Sequence, residues 1–232
     1  MKPSMILVLI FISIISFAGC SHHLKDFSEY NNMYSSQEKR RVKTWKEIRE
    51  QNILMQTLDY SCGAASLATL IHYYFNENIN EKDILNVVRA IHTQTELKQI
   101  EEKGLSFTDL ARISQHLGFQ SASVSLSIKA LKKLQGPVLV YLERKDYRHF
   151  AILRGTLEDR VFLADPSRGN IRLSIDQFTD EWDGRTLILG KKNHELTHIH
   201  KLAIRESSPL RNELLTIRSS LKKDPHLIGR KY

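Results

Sequence analysis

Cysteine is scarce in this chain, which carries only two among its 232 residues. Cys20 closes the apolar segment that opens the chain, and Cys62 stands at the start of an apolar helical pattern. If Cys20 is modified at its thiol, Cys62 has no partner in its own chain. No intramolecular disulfide can then form, even in an oxidising compartment. A lone thiol at position 62 therefore needs a chemical reason.

Long hydrophobic runs are also missing. The run from Met5 to about Phe17 follows the basic Lys2 and is too short for a membrane-spanning helix, which needs about 20 apolar residues. Two small residues then precede Cys20, an ending that resembles a bacterial lipoprotein signal peptide at 1–19, with Cys20 lipidated as the mature N-terminus. Ser21, by the same resemblance, indicates the outer membrane, with the domain facing the periplasm. Plain secretion with a free Cys20 and an uncleaved anchor are the alternatives.

The formal net charge of +8 is moderate, and much of it lies on the flanks of the chain. Basic residues cluster between positions 39 and 46 and along the C-terminal tail. Solvated flanks, or attraction to anionic lipid headgroups, explain this pattern as well as a partner does. The sequence lacks both an aromatic-studded basic face and a recognisable reader motif, so no nucleic-acid partner is expected.

The chain has no internal repeat, and its length suits one domain with tails. We predict a lipidated N-terminus and polar tether over 20–49, a folded domain over 50–192 and a basic tail over 193–232. Helical periodicity comes first in the domain, and β-rich runs follow. The predicted helices are 62–75, 81–91, 107–117, 128–134 and 174–182, and the predicted strands are 138–142, 149–153, 161–164, 170–173 and 186–189. This order is typical of an α+β domain with an antiparallel sheet, as in papain-like folds.

Cys62 stands where a loop gives way to an apolar helix. The unpaired backbone N–H groups and the positive end of the dipole at a helix N-terminus favour thiolate over thiol, and the thiolate is the reactive species. A catalytic thiol also needs a base, a group that orients the base, and donors for the developing oxyanion. The alternative is that Cys62 is a small buried apolar residue.

Two predicted neighbouring strands supply candidates for the base and its orienting group. His149 opens one strand and Asp165 ends the next. A turn centred near Leu157 would place the two residues directly opposite each other. A carboxylate at that place can accept a hydrogen bond from the imidazole and fix its tautomer. A register shift of one residue would turn Asp165 to the other face, and Asp176 and Asp180 are the substitutes.

Gln56 lies six residues before Cys62. Its side-chain amide can return to the vicinity of the thiol and join the Cys62 backbone N–H as an oxyanion donor. Each candidate also has an ordinary structural explanation: a half-exposed strand residue for His149, a turn former for Asp165 and a loop amide for Gln56.

Four short motifs resemble those of the peptidase C39 family, the papain-like double-glycine leader peptidases, over about residues 51–191. They are Gln56, the Cys62-Gly63 pair at a helix start, His149 followed by Phe-Ala-Ile-Leu, and Asp165 between alanine and proline. The resemblance implies a papain-like α+β fold in which Cys62 is the nucleophile and His149 is general base and then acid. It also implies that Asp165 orients the base and that Gln56 is the oxyanion donor. This mechanism requires no cofactor and no metal.

The chain departs from the best-known members of that family, which are fused to ABC transporters and often carry an acidic residue just before the cysteine. It has no nucleotide-binding motif and no membrane-spanning bundle, and Ser61 precedes the cysteine. The chain therefore resembles a stand-alone relative in the bacterial cell envelope. The implied partners are the membrane, through the N-terminal lipid, an exported polypeptide or leader peptide as substrate, and a separate export system. Cleavage after small or double-glycine residues is implied by analogy alone.

Two other functions stay open. A catalytically silent C39-like domain would bind an unfolded export client without cutting it. The minor alternative is a zinc protease, because the segment from His194 to His198 matches the H-E-x-x-H pattern, in which two histidines one helical turn apart bind zinc and the glutamate activates water. That segment follows the predicted domain, which argues against a zinc site.

Overall fold

A computed structural model describes residues 42–144 and 147–204. The predicted signal peptide, the predicted lipidation site Cys20, most of the predicted tether and the tail from residue 205 onward lie outside the described residues. Within the described ranges, no helix has the length and apolar character needed to cross a membrane.

The structure describes seven helices in residues 42–144 and 147–204, and the longer ones lie in the first half. The seven helices are α1 (Trp45–Arg49), α2 (Cys62–Tyr73), α3 (Glu81–Ile91), α4 (Gln94–Lys103), α5 (Phe107–His116), α6 (Ile128–Leu131) and α7 (Ile175–Thr179). The predicted helices are confirmed at α2, α3 and α5, and α6 and α7 are shorter than predicted. Helix α4 was not predicted because Ile100 is its one buried residue, although Thr93 and Glu96 form a capping box at its start.

The second half forms an antiparallel sheet. Its strands are β1 (Gln120–Ser125), β2 (Val138–Arg144), β3 (Tyr147–Leu157), β4 (Arg160–Asp165), β5 (Gly169–Ser174) and β6 (Arg185–Gly190), in the order β1-β6-β2-β3-β4-β5. The predicted α+β class is confirmed. Strand β1 was not predicted because it lies at the sheet edge and is polar, with its residues exposed or half-buried.

Both faces of the sheet are buried. One face packs on the helices α2, α3 and α5 through a core that includes Leu67, Leu70, Ile84, Leu110, Leu139, Phe150 and Ile152. The other face packs against α7 and the residues after it through Val140, Leu142, Ala151, Leu153, Leu163, Phe178 and Trp182. Because β2 and the middle of β3 are covered on both sides, they appear in the sequence as continuous apolar runs.

The register of the β3–β4 hairpin differs from the predicted one. Leu157 pairs with Arg160, and a bulge at Arg154 shifts the register before Leu153 pairs with Leu163. Continued by one pair, this register places Asp165 diagonal to His149 rather than directly opposite. The prediction of direct opposition was therefore wrong. The two residues still share one face, because the extra bulge residue restores the alternation that the tight turn alone would have reversed.

Gly155 is the glycine of this bulge, with a φ of 149° that L side chains rarely adopt. A Cβ there would also lie 2.9 Å from Cδ1 of Ile204. We expect Gly155→Ala to lower the free energy of unfolding by about 1–3 kcal/mol in urea titrations. The matched control is Gly190→Ala, because a Cβ at Gly190 meets no atom within 4 Å. Equal stabilities for the two variants would contradict a strained bulge.

The packed region continues beyond the predicted domain limit at residue 192. Leu202 is fully buried, and the Arg154 guanidinium donates hydrogen bonds to the carbonyls of Leu202 and Ala203 at 2.9 and 3.2 Å. The same guanidinium donates to Asn170 on β5. The bulge residue thus anchors the segment after β6 to the sheet, and the domain limit at residue 192 stays a prediction.

Candidate active site

Cys62 is the first residue of α2, and Ser61 occupies the N-cap position of this helix without a capping hydrogen bond from its side chain. The thiol residue is 8% exposed. Two features of α2 bring its N-terminus close to β3. The Ser66 hydroxyl donates to the Phe150 carbonyl at 3.0 Å, and a Cβ on Gly63 would lie 3.2 Å from the Phe150 ring. Glycine after the cysteine therefore permits the close approach of the helix to the strand that carries His149.

His149 and Asp165 form a buried pair, with Nε2 of the imidazole 2.8 Å from Oδ1 of the carboxylate. The Cys62 side chain hydrogen-bonds the same imidazole. Because Asp165 takes Nε2, Nδ1 is the nitrogen left to face the thiol. The structure thus brings together the three side chains that the sequence predicted as nucleophile, base and orienting group.

Asp165 also forms the turn after β4. Its Oδ1 accepts hydrogen bonds from the backbone N–H groups of Ser167 and Arg168, each at 2.9 Å. The Ser167 hydroxyl donates to the same oxygen at 2.9 Å and lies 3.4 Å from Nε2 of His149. The Arg168 guanidinium donates to Oδ2 at 2.6 Å. The turn-forming and imidazole-orienting explanations of Asp165 are therefore compatible.

The residues Ser167 and Arg168 were missed by the sequence analysis. An aspartate followed by proline is a signal for an Asx turn, and such a turn points the next N–H groups at the carboxylate. That signal could have identified the two backbone donors. The side-chain contact of Arg168 depends on tertiary packing, because its guanidinium lies between Asp165 and Glu181 of the following segment.

Charge and hydrogen bonding set the protonation of the pair. Burial lowers the pKa of His149, but its hydrogen bonds and electrostatic interactions with Asp165 and Cys62 outweigh burial and raise the pKa to about 9. Burial raises the pKa of Asp165, whereas the hydrogen bond and charge of His149, with Arg168, hold that pKa well below its usual range. The pair is therefore an imidazolium and a carboxylate at neutral pH.

These shifts predict how stability depends on pH. A raised histidine pKa stabilises the fold below the unfolded value of 6.5, and this contribution is lost as pH rises to about 9. The lowered pKa of Asp165 stabilises the fold above the unfolded value of about 3.9, and this contribution is lost as pH falls. We expect wild type to lose at most about 3 kcal/mol of unfolding free energy between pH 6.5 and 9. Urea titrations should show a flatter profile for His149→Ala, and identical profiles would contradict the shift.

Gln56 belongs to the loop before α2. Its backbone N–H donates to the Pro166 carbonyl at 2.9 Å, which ties this loop to the turn after Asp165. Its side-chain Nε2 donates to the Leu58 carbonyl at 3.0 Å. One N–H of that amide remains for another acceptor. Of the substitutes for Asp165, Asp176 lies in the first turn of α7 and Asp180 caps the end of that helix.

A cleft of about 490 Å³ opens beside Cys62. Its walls include Tyr60, the end of α4 at Lys103 and Gly104, and Arg148 at the start of β3. Asp59, Glu101 and Glu102 line it as well. Ligand sites commonly have this size, and Cys62 is one of the residues that line the cleft.

The H-E-x-x-H segment does not form the helix that a zinc protease needs, because residues 194–198 are irregular. The His194 ring instead packs on Tyr74 and Phe75, with ring centroids 5.6 and 4.8 Å away. Among the residues that the structure describes, no group of three or more histidine, cysteine, aspartate or glutamate side chains could hold a metal ion.

Comparisons with known proteins show which family and which proteins this chain is similar to. The profile of the Peptidase C39 family matches residues 50–194. The chain is 29% identical over 145 residues to the "Probable functional amyloid protease FapD" of Pseudomonas fluorescens, covering 62% of this chain and 63% of that protein. It is 23% identical over 137 residues to the lactococcin-G-processing and transport ATP-binding protein LagD of Lactococcus lactis, covering 58% of this chain and 18% of that protein.

A solved structure shares the fold. The peptidase domain of Streptococcus ComA matches with a TM-score of 0.51 and 19% identity, over 60% of this chain and 98% of that domain. The predicted papain-like α+β fold is therefore confirmed. The matched region spans about 63% of the length of FapD. Because the family profile covers more than half of the sequence, the chain belongs to the peptidase C39 family.

Proposed function

We propose that this chain is a cysteine endopeptidase that cleaves an exported polypeptide. The observation that carries the proposal is the buried His149–Asp165 pair, 2.8 Å apart, with Cys62 hydrogen-bonded to the same imidazole at the start of α2. An imidazolium with a pKa near 9 beside a sulfur can stabilise a thiolate at neutral pH. The cleft that Cys62 lines supports this proposal as the place where a peptide carbonyl would approach that sulfur.

In the first half of the cycle, the Cys62 sulfur attacks the scissile carbonyl carbon, and the carbonyl π electrons move to the oxygen. The oxyanion is held by the Cys62 backbone N–H and by the free N–H of the Gln56 amide. The His149 imidazolium gives its proton to the amine nitrogen as the C–N bond breaks. A thioester and a free amine result, and the imidazole is left neutral.

In the second half, neutral His149 takes a proton from water, and the hydroxyl oxygen attacks the thioester carbon. Collapse of this second oxyanion breaks the C–S bond and releases the carboxylic acid. The sulfur leaves as a thiolate beside the renewed imidazolium. Asp165 keeps Nε2 protonated throughout, so that Nδ1 carries the proton to and from the reacting atoms.

The location and substrate complete the proposal. The N-terminal segment supports a lipoprotein attached through Cys20, held at the outer membrane and facing the periplasm. The similarity to a protein named as a functional amyloid protease supports an exported polypeptide as substrate, supplied through a separate export system. We further propose cleavage after small residues, double glycine included.

The test uses the full-length chain in detergent and a peptide library made from a bacterial envelope proteome. Mass spectrometry should detect new C-termini that end in small residues and that require Cys62. The appearance of the same termini with Cys62→Ala would contradict the proposal. Unchanged peptides that nevertheless stay bound to the chain would favour the alternative of a catalytically silent, client-binding domain.

A further inference from the structure

A buried carboxylate lies behind the loop that leads to Cys62. Glu81, the first residue of α3, is 7% exposed. Its Oε1 accepts hydrogen bonds from the Thr57 backbone N–H at 3.0 Å and from the Ser61 hydroxyl at 2.5 Å, and its Oε2 accepts from the Thr57 hydroxyl at 2.7 Å. Within the described part of the chain, no lysine or arginine forms an ion pair with this carboxylate. A buried glutamate held by loop donors alone is uncommon, because burial of a charge is costly without full pairing.

Capping of α3 does not explain this arrangement. The capping box of that helix is built by Asn80 and Asp83, whose side chains bond each other's backbone N–H groups. Asp83 is therefore the carboxylate that stabilises the helix start. The carboxylate of Glu81 is instead directed to the loop before α2. Its role must therefore be sought in that loop rather than in its own helix.

The hydrogen bonds continue from Glu81 to Gln56. The Ser61 hydroxyl oxygen also accepts from the Leu58 backbone N–H at 3.1 Å and lies 2.8 Å from the Leu58 carbonyl, so its single proton is shared between that carbonyl and Glu81. The Leu58 carbonyl in turn accepts from the Gln56 side-chain amide at 3.0 Å. One carboxylate thereby fixes Ser61, whose peptide group carries the Cys62 N–H, and indirectly fixes the Gln56 amide.

We propose that Glu81 is a positioning residue that holds both donors of the oxyanion hole in place. This inference rests on the proposed function, because it concerns how that site stabilises its oxyanion. The hydrogen bonds of Glu81 described above go to Thr57 and Ser61, so we assign it no direct role in the chemistry. It acts through Ser61 on the backbone donor and through Ser61 and Leu58 on the side-chain donor.

The test separates oxyanion stabilisation from thiolate formation. Peptide cleavage needs both, whereas alkylation of Cys62 by iodoacetamide is a displacement at a CH2 carbon that develops no oxyanion. Loss of one oxyanion donor costs about 10²- to 10³-fold in turnover, and misplacement of two donors should cost about 10- to 100-fold. We expect Glu81→Ala to lower kcat for library peptides by about 10- to 100-fold relative to wild type. Its KM should stay within about threefold of the wild-type value, and its alkylation rate should equal that of wild type.

Three further variants test the inference. Glu81→Gln keeps an acceptor oxygen for Ser61 and Thr57, and we expect it to recover most of the turnover. Asp83→Ala removes a carboxylate from the same helix start without touching the loop, so it is the matched control and should cleave normally. If Glu81→Ala fails to fold, Ser61→Ala breaks the same connection to Leu58 and should lower kcat with normal alkylation.

Three results would overturn the inference while leaving the proposed function intact. They are wild-type kcat in Glu81→Ala, a parallel loss of cleavage and alkylation in that variant, and an equal loss of cleavage in Asp83→Ala. Absence of cleavage by wild type would instead count against the proposed function, because the inference concerns only differences from an active wild type.

Discussion

Replacing Cys62 by alanine is expected to remove peptide cleavage altogether, by about 10⁴-fold or more, while the fold stays intact. The nucleophile forms the covalent intermediate, and loss of such a residue costs about as much as loss of the whole catalytic set. The stability change should be small, because alanine keeps the Cβ and suits a helix start that is already rich in small residues. Mass spectrometry of a cleaved peptide and thermal unfolding measure the two effects.

His149→Ala provides the comparison for that variant. It should lose cleavage to a similar degree, because the thiol then lacks its proton acceptor and the amine lacks its proton donor. The double variant should be no worse than either single one, since the two residues act as a unit. Independent losses that multiply in the double variant would contradict a shared mechanism.

Asp165 is expected to show a large difference between two substitutions. Asp165→Ala leaves the buried imidazole and Arg168 without their shared partner, and turnover should fall by about 10³- to 10⁴-fold. Asp165→Asn should lose only about 10- to 100-fold. The backbone donors of Ser167 and Arg168 orient the asparagine oxygen to the position of Oδ1, so Nε2 of the imidazole keeps its acceptor and its tautomer.

The asparagine variant still loses a charge, which should lower the pKa of His149 and move the alkaline limb of the pH–rate profile to lower pH. Circular dichroism on both variants separates misfolding from lost chemistry. Equal turnover in the alanine and asparagine variants would show that the hydrogen bond to Oδ1 does not orient the base.

Much of this arrangement could be predicted from local sequence. The helix at Cys62 and the strands of His149 and Asp165 follow from strong apolar periodicity and clear turn signals. The pairing of the two strands follows from their short connection. Helix α4 and strand β1 could not be predicted from apolar patterns, because an exposed helix and an edge strand bury few side chains.

The details that complete the site depend on tertiary contacts. The bulge at Arg154 brings His149 and Asp165 to one face, and its anchor is the backbone of Leu202, 48 residues along the chain. Glu81 reaches the loop before Cys62 from a different helix. No local pattern in the sequence encodes contacts of this kind, since each requires the folded neighbour to be in place.

The most direct test of the central claim is the rate of Cys62 alkylation by iodoacetamide as a function of pH, followed by intact mass on the full-length chain. Wild type should react rapidly below neutral pH and be indifferent to EDTA, and His149→Ala should react slowly there. Such a result requires an imidazole-stabilised thiolate at position 62. Reaction that begins only near pH 8.5, the ordinary range of a free thiol, and that is the same in both proteins would contradict a catalytic Cys62–His149 pair.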